Sequence, residues 1–167
     1  SNSDGGGMYN SNSTLTISNV TISSNTAING GGMYNTGSNI KVKNTALLGN
    51  TSEKGGGIYN AAPFSNQIFT NVTISGNYAS VNGGGIYNVN TYLSLYNSIL
   101  LGNHTGIYVS SGQVGFEYSL IQGNSNTNNG NIDATGKTVA DVFVNPQTPG
   151  LSALGNYSLK NTGIALN

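Results

Sequence analysis

The chain has 167 residues with neither cysteine nor arginine, and its five Lys and five acidic residues leave a formal net charge of zero. The absence of cysteine excludes a disulfide framework and thiolate metal sites. Nucleic acids and anionic membranes are bound by clustered cations, whereas the closest basic residues here are the single pair Lys41 and Lys43, so neither partner is expected. No apolar run approaches the ~18 residues that span a bilayer, so we expect no membrane insertion of this segment.

Two sequence motifs repeat along the chain. The first contains three glycines, a Met or Ile, a Tyr and an Asn. It begins at Gly5, Gly30, Gly55 and Gly83, and a diverged copy, HTGIYV, begins at His104. The segment GNIDA around Ile132 is predicted to hold the same position in the repeat. The second is an eleven-residue motif that begins at Leu15, Ile40, Gln67, Leu93 and Val114. Self-similarity at a period of about 25 residues indicates a solenoid of stacked coils.

Hydrophobic alternation inside the second motif predicts a bend at its first Asn. Leu15 and Ile17 alternate with period two, but after Asn19 the apolar positions Val20 and Ile22 are one residue out of phase. A strand cannot change phase without bending, because successive side chains point to opposite faces. Asn suits such a corner because it tolerates the left-handed conformation. The equivalent corner residues are Asn44, Asn71 and Asn97, with Tyr118 in the fifth copy.

A second column of asparagines marks another corner. Its members are Asn25, Asn50, Asn77, Asn103 and Asn124. Amides stacked about 4.8 Å apart can hydrogen-bond along a ladder, so both columns are predicted to stabilise the stacking of coils.

These patterns predict an all-β fold, a right-handed parallel β-helix of about six coils with three short strands in each coil. Residues 1–135 form the coils and residues 136–167 an irregular closing segment of the same single domain. The inward Met or Ile of the first motif is Met8, Met33, Ile58, Ile86 or Ile107.

The aliphatic-x-x-Asn pattern that precedes GGG-Ile/Met, as in Ile22–Asn25 and Ile74–Asn77, resembles the repeats of polymorphic outer-membrane proteins. More broadly, the chain resembles the right-handed parallel β-helix superfamily that includes pectate lyases. Here aliphatic residues replace the Phe of the outer-membrane repeats. The resemblance implies secretion, surface display and adhesion, and it does not by itself imply an enzyme.

The titratable residues do not form a catalytic set. The aligned coils scatter the five acids, Asp4, Glu53, Glu117, Asp133 and Asp141, whereas glycoside hydrolysis needs two facing carboxylates. His104 is predicted to be a solvated corner residue, because no second His or neighbouring carboxylate accompanies it. We therefore expect no enzyme, no metal site and no cofactor.

A column of tyrosines is the main candidate binding surface. Tyr9, Tyr34, Tyr59, Tyr87 and Tyr108 are the outward residues of the first motif. The glycine two positions earlier in each copy is also expected to face outward, which would leave a bare strip beside the rings. Such a column either stabilises the solenoid surface or binds a sugar chain.

Apolar residues also accumulate on the predicted outer surface near the last coils, at Ile99, Leu101 and Leu120. Either residues 137–154 of the same chain cover them, or a partner does. The chain opens on a coil strand and closes on TGIALN, which resembles that strand. This indicates either a fragment of a longer solenoid or a subunit that stacks end to end.

The sequence thus favours a non-enzymatic, structural or adhesive β-solenoid of a secreted or cell-surface protein of bacterial type. A self-assembling fibre subunit and a carbohydrate-binding module that uses the Tyr column are the alternatives. The expected partners are flanking coils of the same or an identical chain, and a glycan or cell surface.

Overall fold

The computed structural model describes residues 3–125, 127–145 and 156–159. The strands of the first three coils are β1 (Met8–Ser11), β2 (Thr14–Ser18), β3 (Thr21–Ser23), β4 (Met33–Thr36), β5 (Asn39–Leu48), β6 (Thr51–Lys54), β7 (Ile58–Ser75) and β8 (Tyr78–Asn82). Those that follow are β9 (Ile86–Tyr96), β10 (Ile99–Leu101), β11 (Ile107–Val109), β12 (Gly112–Glu117), β13 (Leu120–Ile121), β14 (Ile132–Asp133), β15 (Phe143–Asn145) and β16 (Asn156–Leu159). A 3-10 turn spans Asn128–Gly130, and the one helix of the described residues is α1 (Val139–Val142). No helix in this part of the chain is long and apolar enough to cross a membrane.

The strands stack in parallel, and each repeat pairs with the same positions of the next, which confirms the predicted parallel β-solenoid. Tyr34 of β4 lies opposite Tyr9 on one side and Tyr59 on the other. The eleven-residue motifs pair equally directly, with Ile17 opposite Val42. Right-handed winding stays a prediction.

The solenoid makes about four turns, whereas the sequence predicted about six. The difference arises at the C-terminal end, where Ile132 pairs with Leu120 rather than with the Tyr-bearing strand. Only twelve residues separate these partners, so the chain passes through the 3-10 turn instead of completing another coil. The prediction that Ile132 continues the column of the glycine motif was therefore wrong.

A fourth strand, which the sequence analysis did not predict, lies between the second Asn corner and the glycines. Strands β6 and β8 pair in parallel, and single bridges at Thr26 and Asn29 extend this pairing to the previous coil. The inward residues of this segment are small, Ala27, Ser52 and Ala79, which leaves the other strands to supply the larger apolar groups.

The core is a set of stacked aliphatic columns. Met33, Ile58 and Ile86 are fully buried at the inward position of the glycine motif, whereas Met8 and Ile107 at the two ends are partly buried. Apolar surface removed from water in this way is the main favourable term in folding. Each coil buries its side chains mainly against its neighbours, as expected of a solenoid.

A second apolar cluster joins the last coils to the closing segment. Leu101, Leu120 and Ala134 are buried together with Val142 of α1, and Ile99 packs against them. The apolar positions that the sequence placed on the outer surface are thus in contact with residues of the same chain. The side chains of Val139, Phe143 and Val144, as well as all of Leu151, lie outside what the structure describes.

Candidate functional site

The first Asn column forms the predicted corner. Asn19, Asn44, Asn71 and Asn97 all have the left-handed conformation, with φ between 48° and 58°. Their side chains are exposed, and Asn71 Nδ2 donates to Asn44 Oδ1 (3.0 Å) while Asn44 Nδ2 donates to Asn19 Oδ1 (3.3 Å). Tyr118 has the same backbone conformation, φ 52°, at the fifth copy. This column therefore stabilises the bend on the solvent side.

The second Asn column runs through the interior. Asn25 Nδ2 donates to Asn50 Oδ1, Asn50 Nδ2 to Asn77 Oδ1, and Asn77 Nδ2 to Asn103 Oδ1, over 2.9–3.1 Å. The same oxygens also accept the backbone N–H of the preceding Asn. Asn124, predicted as the next member, is half-buried beside a cavity of about 370 Å³ at the C-terminal end of the core.

A third, buried Asn column was missed by the sequence analysis. It consists of the last residue of the glycine motif. Asn10 Nδ2 donates to Asn35 Oδ1, Asn35 Nδ2 to Asn60 Oδ1, and Asn60 Nδ2 to Asn88 Oδ1, over 2.7–3.3 Å. The signal was available, because Asn10 has the same strand parity as the inward Met8, whereas Tyr9 between them points outward.

The five tyrosines form one continuous stack. Neighbouring ring centroids are 4.9–5.2 Å apart and neighbouring planes lie within 20° of parallel. Tyr9 and Tyr108 at the two ends are 55% and 37% exposed, and the three inner rings are half-buried. The faces of the inner rings are therefore covered by other rings, so the column presents ring edges and phenol hydroxyls to solvent.

The bare glycine strip predicted beside the rings is absent in the first four copies, because Gly7, Gly32, Gly57 and Gly85 face inward, whereas Gly106 in the last copy has open space beside it. A Cβ on Gly32 would lie 3.1 Å from Asn50 Nδ2 and 3.2 Å from a methyl carbon of Leu47. Gly57 and Gly85 have the same surroundings, next to Asn77 and Asn103. These glycines leave room for the buried Asn ladder.

A polar column flanks the tyrosines instead. Asn29 Nδ2 donates to Asp4 Oδ1 (2.9 Å), and Lys54 Nζ lies 5.8 Å from the ring centroid of Tyr87, within the range of a cation–π interaction. Burial is the main cause that raises the pKa of Tyr34 and of Tyr59 above 10.0, and the charge of Asp4 and the neighbouring phenols raise both further. Tyr34 and Tyr59 therefore remain un-ionised at neutral pH.

Asp133, Asp141 and His104 have local partners. Asp133 accepts hydrogen bonds from the backbone and hydroxyl of Thr135, which lower the pKa of its carboxyl group. Asp141 is bonded in the same way to Thr138. Exposed His104 stacks on Tyr78 at 4.5 Å, and its Nδ1 lies 2.7 Å from the Ala79 carbonyl oxygen. Within the described ranges, no three His, Cys, Asp or Glu residues form a potential metal site.

Comparison of the chain with protein-family models, with curated proteins and with solved structures found no match.

Proposed function

We propose that this chain is a non-enzymatic structural or adhesive segment of a secreted or cell-surface protein of bacterial type. The observation that carries the proposal is the set of side-chain columns, two of buried Asn and one of Tyr, which link one coil to the next along the solenoid. Such columns fix the position of each coil relative to the next, and five Lys and five acidic residues leave the chain with little charge. A rigid, nearly uncharged solenoid suits the display of a binding surface away from a cell.

We also propose that the chain is related to known surface-exposed β-helix proteins. The repeats resemble those of polymorphic outer-membrane proteins, and the architecture resembles that of pectin-lyase-like β-helices. Both resemblances favour surface exposure. The partners we propose are flanking coils and a glycan or cell surface, with no cofactor.

Display on a heterologous cell-surface anchor tests the adhesive role. Cells that carry the full chain should adhere to glycan-coated or cell-coated surfaces more strongly than cells that carry the anchor alone. Release of reducing sugar or unsaturated product from polysaccharides by the purified chain would contradict the non-enzymatic assignment. Adhesion no greater than that of the anchor would contradict the adhesive one.

A fibre subunit joined head to tail by strand addition is the second candidate. The partly buried core residues at the two ends, Met8 and Leu15 at one and Val114 and Phe116 at the other, favour it, because stacking would bury them further. Sedimentation at rising concentration distinguishes the two, since a fibre subunit grows in size and a monomer does not.

A further inference from the structure

The outer surface formed by β9 and β12 carries tyrosines that have no aromatic neighbour in the next rung. Tyr92, Ser94 and Tyr96 alternate along β9 with the buried Leu93 and Leu95, so all three face outward. Tyr92 is 49% exposed. Its partners in the adjoining rungs are Asn66 and Gln113, so no ring of the described residues stacks on it as in the Tyr column.

Small residues form a depression between the two tyrosines. Ser94 pairs with Gly115, the next residue of the same outward column. A Cβ placed on Gly115 would have no other atom within 4 Å, so the space above it is open. Tyr92 and Tyr96 stand four residues apart, about 13 Å along the strand, on either side of this floor.

Three adjoining cavities follow this surface along the strand. A cavity of about 340 Å³ is lined by Pro63, Asn90, Tyr92 and Gly112. It shares Tyr92 and Gly112 with a cavity of about 500 Å³, which in turn shares Ser94 and Gly115 with one of about 250 Å³ that reaches Tyr96. The larger of these two is also lined by Leu93, Val109 and Val114, and the smaller by Leu95 and Phe116. Together they extend from residue 90 to residue 96 of β9, about 20 Å, as a continuous groove.

The chemistry of the lining is that of a site for a neutral, hydroxyl-rich ligand. Asn90, Gln113 and Asn129 supply amides that both donate and accept, and the phenols of the tyrosines do the same. Tyrosine combines an apolar ring with a polar hydroxyl, which matches a sugar ring with its apolar face and polar rim. Glu117 is the only carboxylate among the lining residues, so the groove has one of the two that glycoside hydrolysis needs.

We propose that this groove, defined by Tyr92, Ser94, Tyr96, Gln113 and Gly115, binds a neutral oligosaccharide chain that lies along β9, across the solenoid axis. The inference deepens the proposed adhesive function and rests on it for the glycan as partner. It places the contact on the β9–β12 surface rather than on the Tyr column, because the inner rings of that column cover one another.

The test is binding of the full chain to immobilised neutral polysaccharides (a glucan, a mannan, a galactan and a xylan), measured for the natural chain and for variants of equal thermal stability. Tyr92→Ala is expected to weaken binding about tenfold. Gly115→Val is expected to abolish binding without loss of stability, because its side chain enters the open groove from a strand position without positive φ. Thr16→Val, in the same outward column at the other end of the solenoid, is the matched control and should bind normally.

Unchanged binding by Gly115→Val and Tyr92→Ala would overturn the proposal. If Tyr59→Ala and Tyr87→Ala abolish binding instead, the Tyr column is the glycan site and the groove is not. If the natural chain binds no polysaccharide but still promotes adhesion to glycan-free surfaces, the inference fails while the adhesive function stands. If the natural chain neither binds polysaccharide nor promotes adhesion, the inference and the adhesive function are both wrong.

Discussion

Gln67 occupies a core position whose counterparts in the other copies of the eleven-residue motif are Leu15, Ile40, Leu93 and Val114. Its side chain is 1% exposed, and Oε1 accepts one long hydrogen bond of 3.5 Å from Asn35 Nδ2. Nε2 is buried without a hydrogen-bond partner among the described residues. A buried donor without a partner costs about 1–3 kcal/mol of stability.

Replacing this residue by leucine should therefore stabilise the protein. We expect Gln67→Leu to raise the free energy of unfolding by about 1–2 kcal/mol, because it removes the unpaired donor and restores the aliphatic column. Urea denaturation followed by circular dichroism measures the change. Gln113→Leu, at an exposed position of β12, is the control and should change stability by less than about 0.5 kcal/mol. A loss of stability in Gln67→Leu would show that the amide is needed at this position.

At the scale of strands and columns, the features that leave a pattern of alternating apolar residues could be predicted from the sequence. The change of phase at Asn19 located a corner, and the left-handed backbone there agrees with the prediction. The inward direction of Gly32 was missed because glycine has no side chain to show on which face it lies. The β6–β8 strand pair was missed because its inward residues, Ser52 and Ala79, are too small to give a hydrophobic signal. The β9–β12 groove could not be predicted, because it depends on the open space beside Gly115, and no sequence motif indicates that space.

Because of the Tyr column, the stability of the fold should fall at alkaline pH. Because the pKa of Tyr34 and of Tyr59 is raised in the folded chain, their protonated phenols favour folding. This stabilisation is fully present below pH 10, the unfolded value, and is lost as the pH rises through the folded pKa values. We expect the urea midpoint to fall above pH 10, and ultraviolet absorbance to show the phenols of Tyr34 and Tyr59 ionising above that pH.

A variant with Tyr34→Phe and Tyr59→Phe separates ionisation from stacking. Phenylalanine keeps the ring in the column but cannot ionise, so the double variant should lose less stability between pH 9 and pH 12. An alkaline loss as large as in the natural chain would assign the effect to other groups.

At the scale of the whole molecule, stability should vary along the solenoid axis. Each coil contacts mainly its neighbours, and β7 pairs with a strand on both sides, β5 and β9, whereas β12 pairs with β9 alone among the described strands. Local opening is easiest where one side of a strand is unpaired.

Hydrogen exchange should reveal this gradient. The amides of Val72 and Ile74 in the middle coil should exchange at least about tenfold more slowly than those of Val114 and Phe116 in β12. Exchange followed by NMR or mass spectrometry gives the rates. Equal rates along the axis would mean that the solenoid opens as a single cooperative unit.

The coils are not of equal length, and this inequality prevents slippage. The buried Asn ladder steps by 25, 27 and 26 residues, and the pairing of β7 with β9 shifts register between Ala61 and Ser65. In an array of identical coils, a chain displaced by one whole repeat would meet the same partners and lose only the contacts of one end. Here such a displacement would set long coils against short ones and leave residues unpaired at each mismatch. The irregular insertions thus give a nearly repetitive chain a single alignment.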